Sequence, residues 1–269
     1  MQQGSLIARF GRARRDRSLA VLEGFHPLKH ALRFGANVLL VASRDADELE
    51  RLAARLAPDV AARIAELAQP VAPDVFEQLA PLPPTTGVIA LAERPAVEPA
   101  AMLAAAREAP VVLLEDPRDL GNLGACVRVA AAADAAGVLS TGSHDPWAPD
   151  ALRGAAGLHF ALPVARLAEL GALGQTGALD ASGATLAHGR PLLALDPDGA
   201  PLLARELPPR ALLAFGTERY GVSDELLARA DARVSIPMRA GVSSLNLATS
   251  VAAVLFAWRL STPGGLEPT

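Results

Sequence analysis

A two-unit α/β protein with a mostly parallel sheet is what this sequence predicts, and three observations predict it. Short apolar runs, among them "NVLLVAS", "VVLLE", "LLALD" and "ALLAFG", have the length and all-round hydrophobicity of strands buried on both faces of a sheet. Helix-like segments separate them, the alternation of a parallel sheet covered by helices. The chain has 269 residues, 51% of them hydrophobic, which is enough for two cores.

The elements follow in order. From about Ser18 to Glu93 a small α/β unit is expected: "HPLKHALRFG" is a helix ending at Gly35, "NVLLVAS" a buried strand, "DADELERLAARLA" a helix and "TGVIALAE" a further strand. "RPAVEPAAMLAAAREAP" is rich in Pro and Ala and reads as a linker with one short helix. Residues 110–269 form the second unit, with strands at "VVLLE", "GVLSTG", "LLALD", "ALLAFG" and "VSIPM".

Charge is unevenly spread. The chain carries a net −4, yet residues 1–33 hold Arg9, Arg12, Arg14, Arg15, Arg17, Lys29 and Arg33 against Asp16 and Glu23, a local +5. A basic arm on an acidic body suits a phosphate backbone; a solvated arginine face is the alternative. No apolar run reaches the roughly 18 residues of a membrane span and no signal-peptide core follows the start, so the cytoplasm is the expected compartment. The single Cys126 excludes an internal disulfide and reads as a small core residue. The five His lack metal-ligand spacing, and no metal is expected.

In open parallel sheets, ligands bind beyond the carboxyl ends of the strands, so the post-strand loops are where chemistry is sought. In "EDPRDLGNLGACVRVAAAADAAG", Gly121 and Gly124 permit a tight turn and Asn122 can cap the following helix. Arg128 is a lone cation among Ala, Val and Cys, either snorkelling to water or aimed at an anion. In "AFGTERYGVSDELL", Gly216 ends a strand, Glu218 sits in the turn, and Ser223 with Asp224 and Glu225 starts a helix. In "IPMRAGVSSLNLATSVAAVLFAW", Pro237 stops a strand, Gly241 permits a sharp loop, and Ser243, Ser244 or Asn246 caps the closing helix. One cap needs one such residue; three exceed that need and point to a ligand.

Taken together, "NLGACVR" at 122–128, "FGTERYGVS" at 215–223 and "IPMRAGVSSLN" at 236–246 resemble the three ordered motifs of the SpoU/TrmH family of RNA ribose 2′-O-methyltransferases, within the SPOUT superfamily. The amino-terminal unit, with "VLEGFHPLKHALRFGANV" and "PPTTGVIALAE", resembles the small ribosomal-protein-like substrate-binding domain of many members. The resemblance implies an RNA substrate-binding domain over 1–94, a linker over 95–108 and a methyltransferase domain over 109–269 with a deep carboxyl-terminal trefoil knot. It implies S-adenosylmethionine held at Gly216, Ile236 and Leu245, and a catalytic Arg128 with Asn122, Glu218, Ser244 and Asn246 orienting it and the ribose. Arg12, Arg14, Arg15 and Arg17 then become the RNA-binding arm. A homodimer is implied, with Arg128 serving a site shared between subunits. The added domain favours ribosomal over transfer RNA as substrate; a transfer-RNA enzyme, an RNA-binding member without catalysis and an unrelated α/β enzyme are the alternatives. Asp134, Ala155 and Leu120 depart from the family's usual glycine, serine and proline.

Overall fold

The computed structural model describes residues 3–168, 170–173, 189–202, 207–217 and 219–261. The chain forms two compact units: Met1–Ala96 with Trp147–Ala161, and Val97–Pro146 with Leu162–Thr269.

The first unit opens with a helix where the sequence suggested a free basic arm. Helix α1 (Gln3–Ala13) buries Leu6, Phe10 and Ala13, spaced by four and three residues, in a core with Val21, Leu40, Phe76, Ile89 and Leu91. Arginines between these apolar positions hid the helical stripe, because charge dominates the local average while the buried face is only three residues wide. The unit continues with β1 (Leu19–Glu23), α2 (Phe25–Arg33), β2 (Val38–Ser43), α3 (Ala46–Leu56), α4 (Ala61–Leu67), β3 (Ala68–Pro70), α5 (Pro73–Phe76) and β4 (Val88–Glu93). Its sheet runs β1-β4-β2-β3, with β4 antiparallel to both neighbours and β2 parallel to β3. Helix α3 starts where Asp45 accepts from the Glu48 N–H at 2.9 Å, a cap the acidic first turn reinforces.

The second unit follows with α6 (Pro99–Ala104), β5 (Val111–Leu114), α7 (Leu120–Ala132) and β6 (Gly137–Ser140). Helix α8 (Pro149–Gly154) then belongs to the first unit, although it falls inside the range 109–269. Its neighbours show why residues 147–161 group there: Trp147 is buried against His159 and Phe160, with the Arg94 guanidinium 5.3 Å from its ring centroid. His30 Nδ1 meets the Ala156 carbonyl at 2.7 Å, and burial holds its imidazole below the usual pKa. The second unit resumes with β7 (Val164–Arg166), β8 (Leu192–Pro201), β9 (Leu212–Phe215), α9 (Asp224–Arg229), β10 (Ala232–Ser235) and α10 (Leu247–Ser261).

Its six strands lie in the order β10-β8-β9-β5-β6-β7, all parallel. Every residue of β5, β6 and β9 is buried, as strands covered on both faces require. The three-residue edge strand β7 is too short to show a pattern in sequence. Cys126 is buried on α7, which packs against α10. A fully buried Arg190 holds the segment before β5: its guanidinium donates to the carbonyls of Leu103 at 2.8 Å, Ala105 at 3.1 Å and Ala109 at 2.9 Å. Burial, with Arg210 nearby, pushes its pKa down to about 10. Carbonyl oxygens satisfy the donors, so this charge is stitched to backbone.

Among the described residues no helix is long and apolar enough to cross a membrane.

Candidate active site at the carboxyl ends of the parallel strands

Strands β10, β8 and β9 are adjacent, and these strands, with the loops that follow β9 and β10, line a cavity of about 700 Å³. Gly216, Ile236, Ser244 and Leu245 line it, with Phe215 and Asp196. Gly216 is there for lack of space: a Cβ would lie 1.9 Å from the Gly221 carbonyl carbon and 2.1 Å from the Val222 nitrogen. Thr217 and Gly221 exchange two backbone hydrogen bonds of 3.0 Å, folding the loop back onto Gly216 as a tight hairpin. Gly221 closes it with φ at 68°, a left-handed conformation that favours glycine.

Two side-chain contacts join the three motif loops. The buried carboxylate of Glu115, just past β5, accepts from the Ser223 N–H at 2.8 Å and from the Ser223 hydroxyl. Ser223 in turn caps α9 by accepting from the Leu226 N–H at 3.2 Å, so one serine locks the second motif to the end of β5. Asn246 settles the question of the closing cap. Its Oδ1 accepts from the Ala248 N–H at 2.9 Å, and its Nδ2 donates to Asn122 Oδ1 at 3.0 Å. A single amide therefore starts α10 and ties the third motif to the first, which leaves Ser243 and Ser244 free of capping duty and in the cavity wall.

The first motif differs in detail from its sequence reading. Gly121 and Gly124 lie within α7 and make no turn; the bend precedes them. Asp119, not Asn122, is the cap, accepting from the Asn122 N–H at 2.6 Å and leaving the Asn122 side chain for Asn246. Arg128 is exposed on α7, and no described residue pairs with its guanidinium. Neither it nor Asn122 nor Asn246 lines the cavity. Glu218 lies outside the described residues.

Residues 109–256, more than half of the chain, match the SpoU rRNA Methylase family. The chain belongs to that family. Among its relatives, a 23S rRNA (uridine(2479)-2'-O)-methyltransferase of Streptomyces viridochromogenes is 31% identical over 149 residues, covering 54% of this chain and 50% of the relative. The 23S rRNA (guanosine(2553)-2'-O)-methyltransferase RlmP of Bacillus subtilis is 32% identical over 170 residues, covering 59% and 60%. The chain thus spans about half the length of the curated relatives it matches. The crystal structure of the SpoU methyltransferase AviRb from Streptomyces viridochromogenes, in complex with the cofactor AdoMet, superposes with a TM-score of 0.72 at 25% identity, covering 93% of this chain and 96% of that one.

Within this family setting the departures acquire physical reasons. Asp134 adopts φ of 60°, which glycine reaches without strain, and its carboxylate pairs with Arg107 and, at 3.6 Å, with Arg259. Leu120 is the first residue of α7, a position open to proline as well. Ala155 is fully buried behind α8, where a serine hydroxyl would need a partner.

The four arginines expected to contact RNA divide. Arg12, Arg15 and Arg17 are exposed, whereas Arg14 is partly buried and donates to Glu23 at 2.6 Å. Glu23 is itself 5% exposed and also accepts from Arg153 at 2.9 Å. The sequence reading missed both carboxylates that organise these contacts, Glu23 and Glu115. The available signal was the same for each: an acidic residue ending an apolar strand.

Proposed function

We propose that this protein transfers a methyl group to a ribose 2′-hydroxyl of RNA, with S-adenosylmethionine as donor and ribosomal RNA as substrate. The cavity walled by the second and third motif loops carries this reading. Its volume of about 700 Å³ lies inside the roughly 300–1,000 Å³ range of small-molecule sites. Its walls suit the cofactor: Phe215, Ile236 and Leu245 offer apolar surface to a purine, Gly216 offers bare backbone, and Asp196 and Asp198 offer carboxylates to cationic groups. The bound cofactor supplies an electrophilic methyl on a sulfonium.

Chain residues do the rest. In-line attack demands a ribose oxygen held within a narrow cone, so rigid placement is the main requirement. The Asn122–Asn246 pair and the Glu115–Ser223 lock fix the loops that would place it. A guanidinium has five donors and no acceptor, so the part of Arg128 is to hold the ribose or a flanking phosphate and to stabilise charge developing on the oxygen. It lies six residues along α7 from Asn122, about 9 Å of helix rise, and outside the cavity lining. This separation supports a site completed by a second copy of the chain. An exposed stripe on α10, Ala253, Phe256 and Leu260, supports a homodimer as well.

The same reading includes a trefoil knot: α10 packs on α7 although β10 lies at the sheet edge, so residues 236–246 must cross the strand ends. It also includes an RNA-binding first unit, with Arg12, Arg15 and Arg17 as its exposed phosphate contacts, and a cytoplasmic enzyme that needs no metal.

The test combines the full chain, methyl-labelled S-adenosylmethionine and total RNA from a strain lacking the gene. One new 2′-O-methyl in ribosomal RNA is expected, with cofactor binding near micromolar affinity, about 8 kcal/mol. Gly216→Ala, which forces the hairpin off its seat, is expected to abolish that binding. Label in transfer RNA alone identifies the transfer-RNA enzyme; cofactor binding without transfer identifies a non-catalytic member; no cofactor binding overturns the proposal.

A further inference from the structure

Tyr220 is the single tyrosine of the chain, and it is 78% exposed. It stands at the tip of the hairpin that the second motif folds over Gly216, on the rim of the cavity. Its apolar face and polar tip make it a side chain suited to an interface between an apolar and a wet partner. The hairpin holds it firmly: the Tyr220 N–H donates to Thr217 Oγ1 at 3.0 Å, and the two Thr217–Gly221 backbone bonds close the loop below. The Arg219 guanidinium lies 5.2 Å from the ring centroid, which adds a cation to one side of the platform. Arg239, on the neighbouring third-motif loop, is exposed too.

We propose that Tyr220, with Arg219 beside it, is a stacking platform for an unpaired nucleobase of the RNA substrate. This rests on the methyl-transfer reading, which it deepens by naming what recognises the target. A nucleotide that leaves the helical stack can bring its ribose 2′-hydroxyl deeper into a cavity than one held in a duplex, and unstacking forfeits favourable base contacts. An aromatic face at the mouth of the cavity replaces them. Stacking accepts any base, so the platform sets single-strandedness, and Arg219 serves the adjoining phosphate. A backbone already held before the RNA arrives leaves only the side-chain torsions of Tyr220 to be ordered on binding.

The test uses the full chain, ribosomal RNA from a strain lacking the gene, and three variants. Tyr220→Ala is expected to weaken RNA binding, measured at saturating cofactor, by roughly 5- to 100-fold, the range for removal of one base stack. Tyr220→Phe keeps the affinity, since the ring and not the hydroxyl is used. Tyr220→Trp introduces an exposed indole beside two native tryptophans, Trp147 and Trp258, that are 3% and 4% exposed, so its fluorescence is expected to be quenched by RNA. If Tyr220→Ala binds RNA like the unaltered protein while methyl transfer persists, the platform is wrong and the enzymatic reading stands. If the unaltered protein transfers no methyl but the Tyr220→Trp signal is still quenched by RNA, the enzymatic reading is wrong and the platform stands. If Tyr220→Ala dissociates a dimer in sedimentation, the ring packs on a second copy of the chain and the proposal is overturned.

Discussion

Arginines that meet a carboxylate and arginines that do not are used in opposite ways, and each unit holds both kinds. In the first unit Arg14 and Arg153 converge on the buried Glu23, and Arg33 makes two 2.7 Å bonds to Asp59, whose carboxyl it holds below the usual range. In the second, Arg128, Arg219 and Arg239 are exposed, and none has a carboxylate partner among the described residues. A paired guanidinium is already neutralised and contributes to structure. An unpaired one in water keeps its donors for a phosphate or a ribose. The same side chain thus reads as scaffold or as site depending on what faces it, and the net charge of −4 distinguishes neither.

The largest effect is expected where an unpaired arginine is removed. Arg128→Ala should lower single-turnover methyl transfer by about 100-fold while folding and cofactor titration stay unchanged, because several kcal/mol of positioning and charge stabilisation disappear. Lysine should rescue poorly, since a point charge does not reproduce the planar fork. Full-rate transfer by Arg128→Ala would return Arg128 to a solvated surface role.

Paired and exposed arginines of the first unit offer the converse. Glu23→Gln leaves two guanidiniums without their carboxylate and should cost about 2 kcal/mol in denaturant unfolding, with cofactor affinity unaffected. Replacing Arg12, Arg15 and Arg17 together with Ala should leave stability within about 0.5 kcal/mol yet reduce the salt slope of RNA binding by about 2, near 0.7 for each phosphate no longer neutralised. An unchanged slope would show that these three are only a solvated face.

Asp134 tests the boundary between the two uses and carries the smallest effect. Asp134→Gly removes exposed ion pairs to Arg107 and Arg259 and also relieves backbone held at φ of 60°. Each contribution is of order 1 kcal/mol and they oppose, so the net change at low salt should be within about 0.5 kcal/mol. At high salt the pairs are screened and the glycine variant should become the more stable, which denaturant titrations at two ionic strengths will show.

Much of this was legible in the residues themselves. The buried strands β5, β6 and β9 announced themselves as continuous apolar runs, because a strand covered on both faces has no polar side to interrupt it. Ser223 read as a helix start from its own position before Asp224 and Glu225, since capping is decided within four residues. Pro237 similarly foretold a strand stop at Ile236 to Met238, and β10 ends just before it, at Ser235. The three motifs and their order were legible on the same terms, being local strings.

What required the fold was every relation between distant residues. That Asn246 rather than a neighbouring serine caps α10 depends on Asn122, 124 positions away, which orients its amide. That Asp119 caps α7 and frees Asn122 depends on where the bend after β5 falls. Glu115 became a lock because β9 lies beside β5 and delivers Ser223 to it, and α1 became a helix because a core exists to receive Leu6 and Phe10. Periodicity, caps and turns are set by neighbours in the chain, whereas the partner of a buried charge or a polar amide is set by packing, which composition averages away.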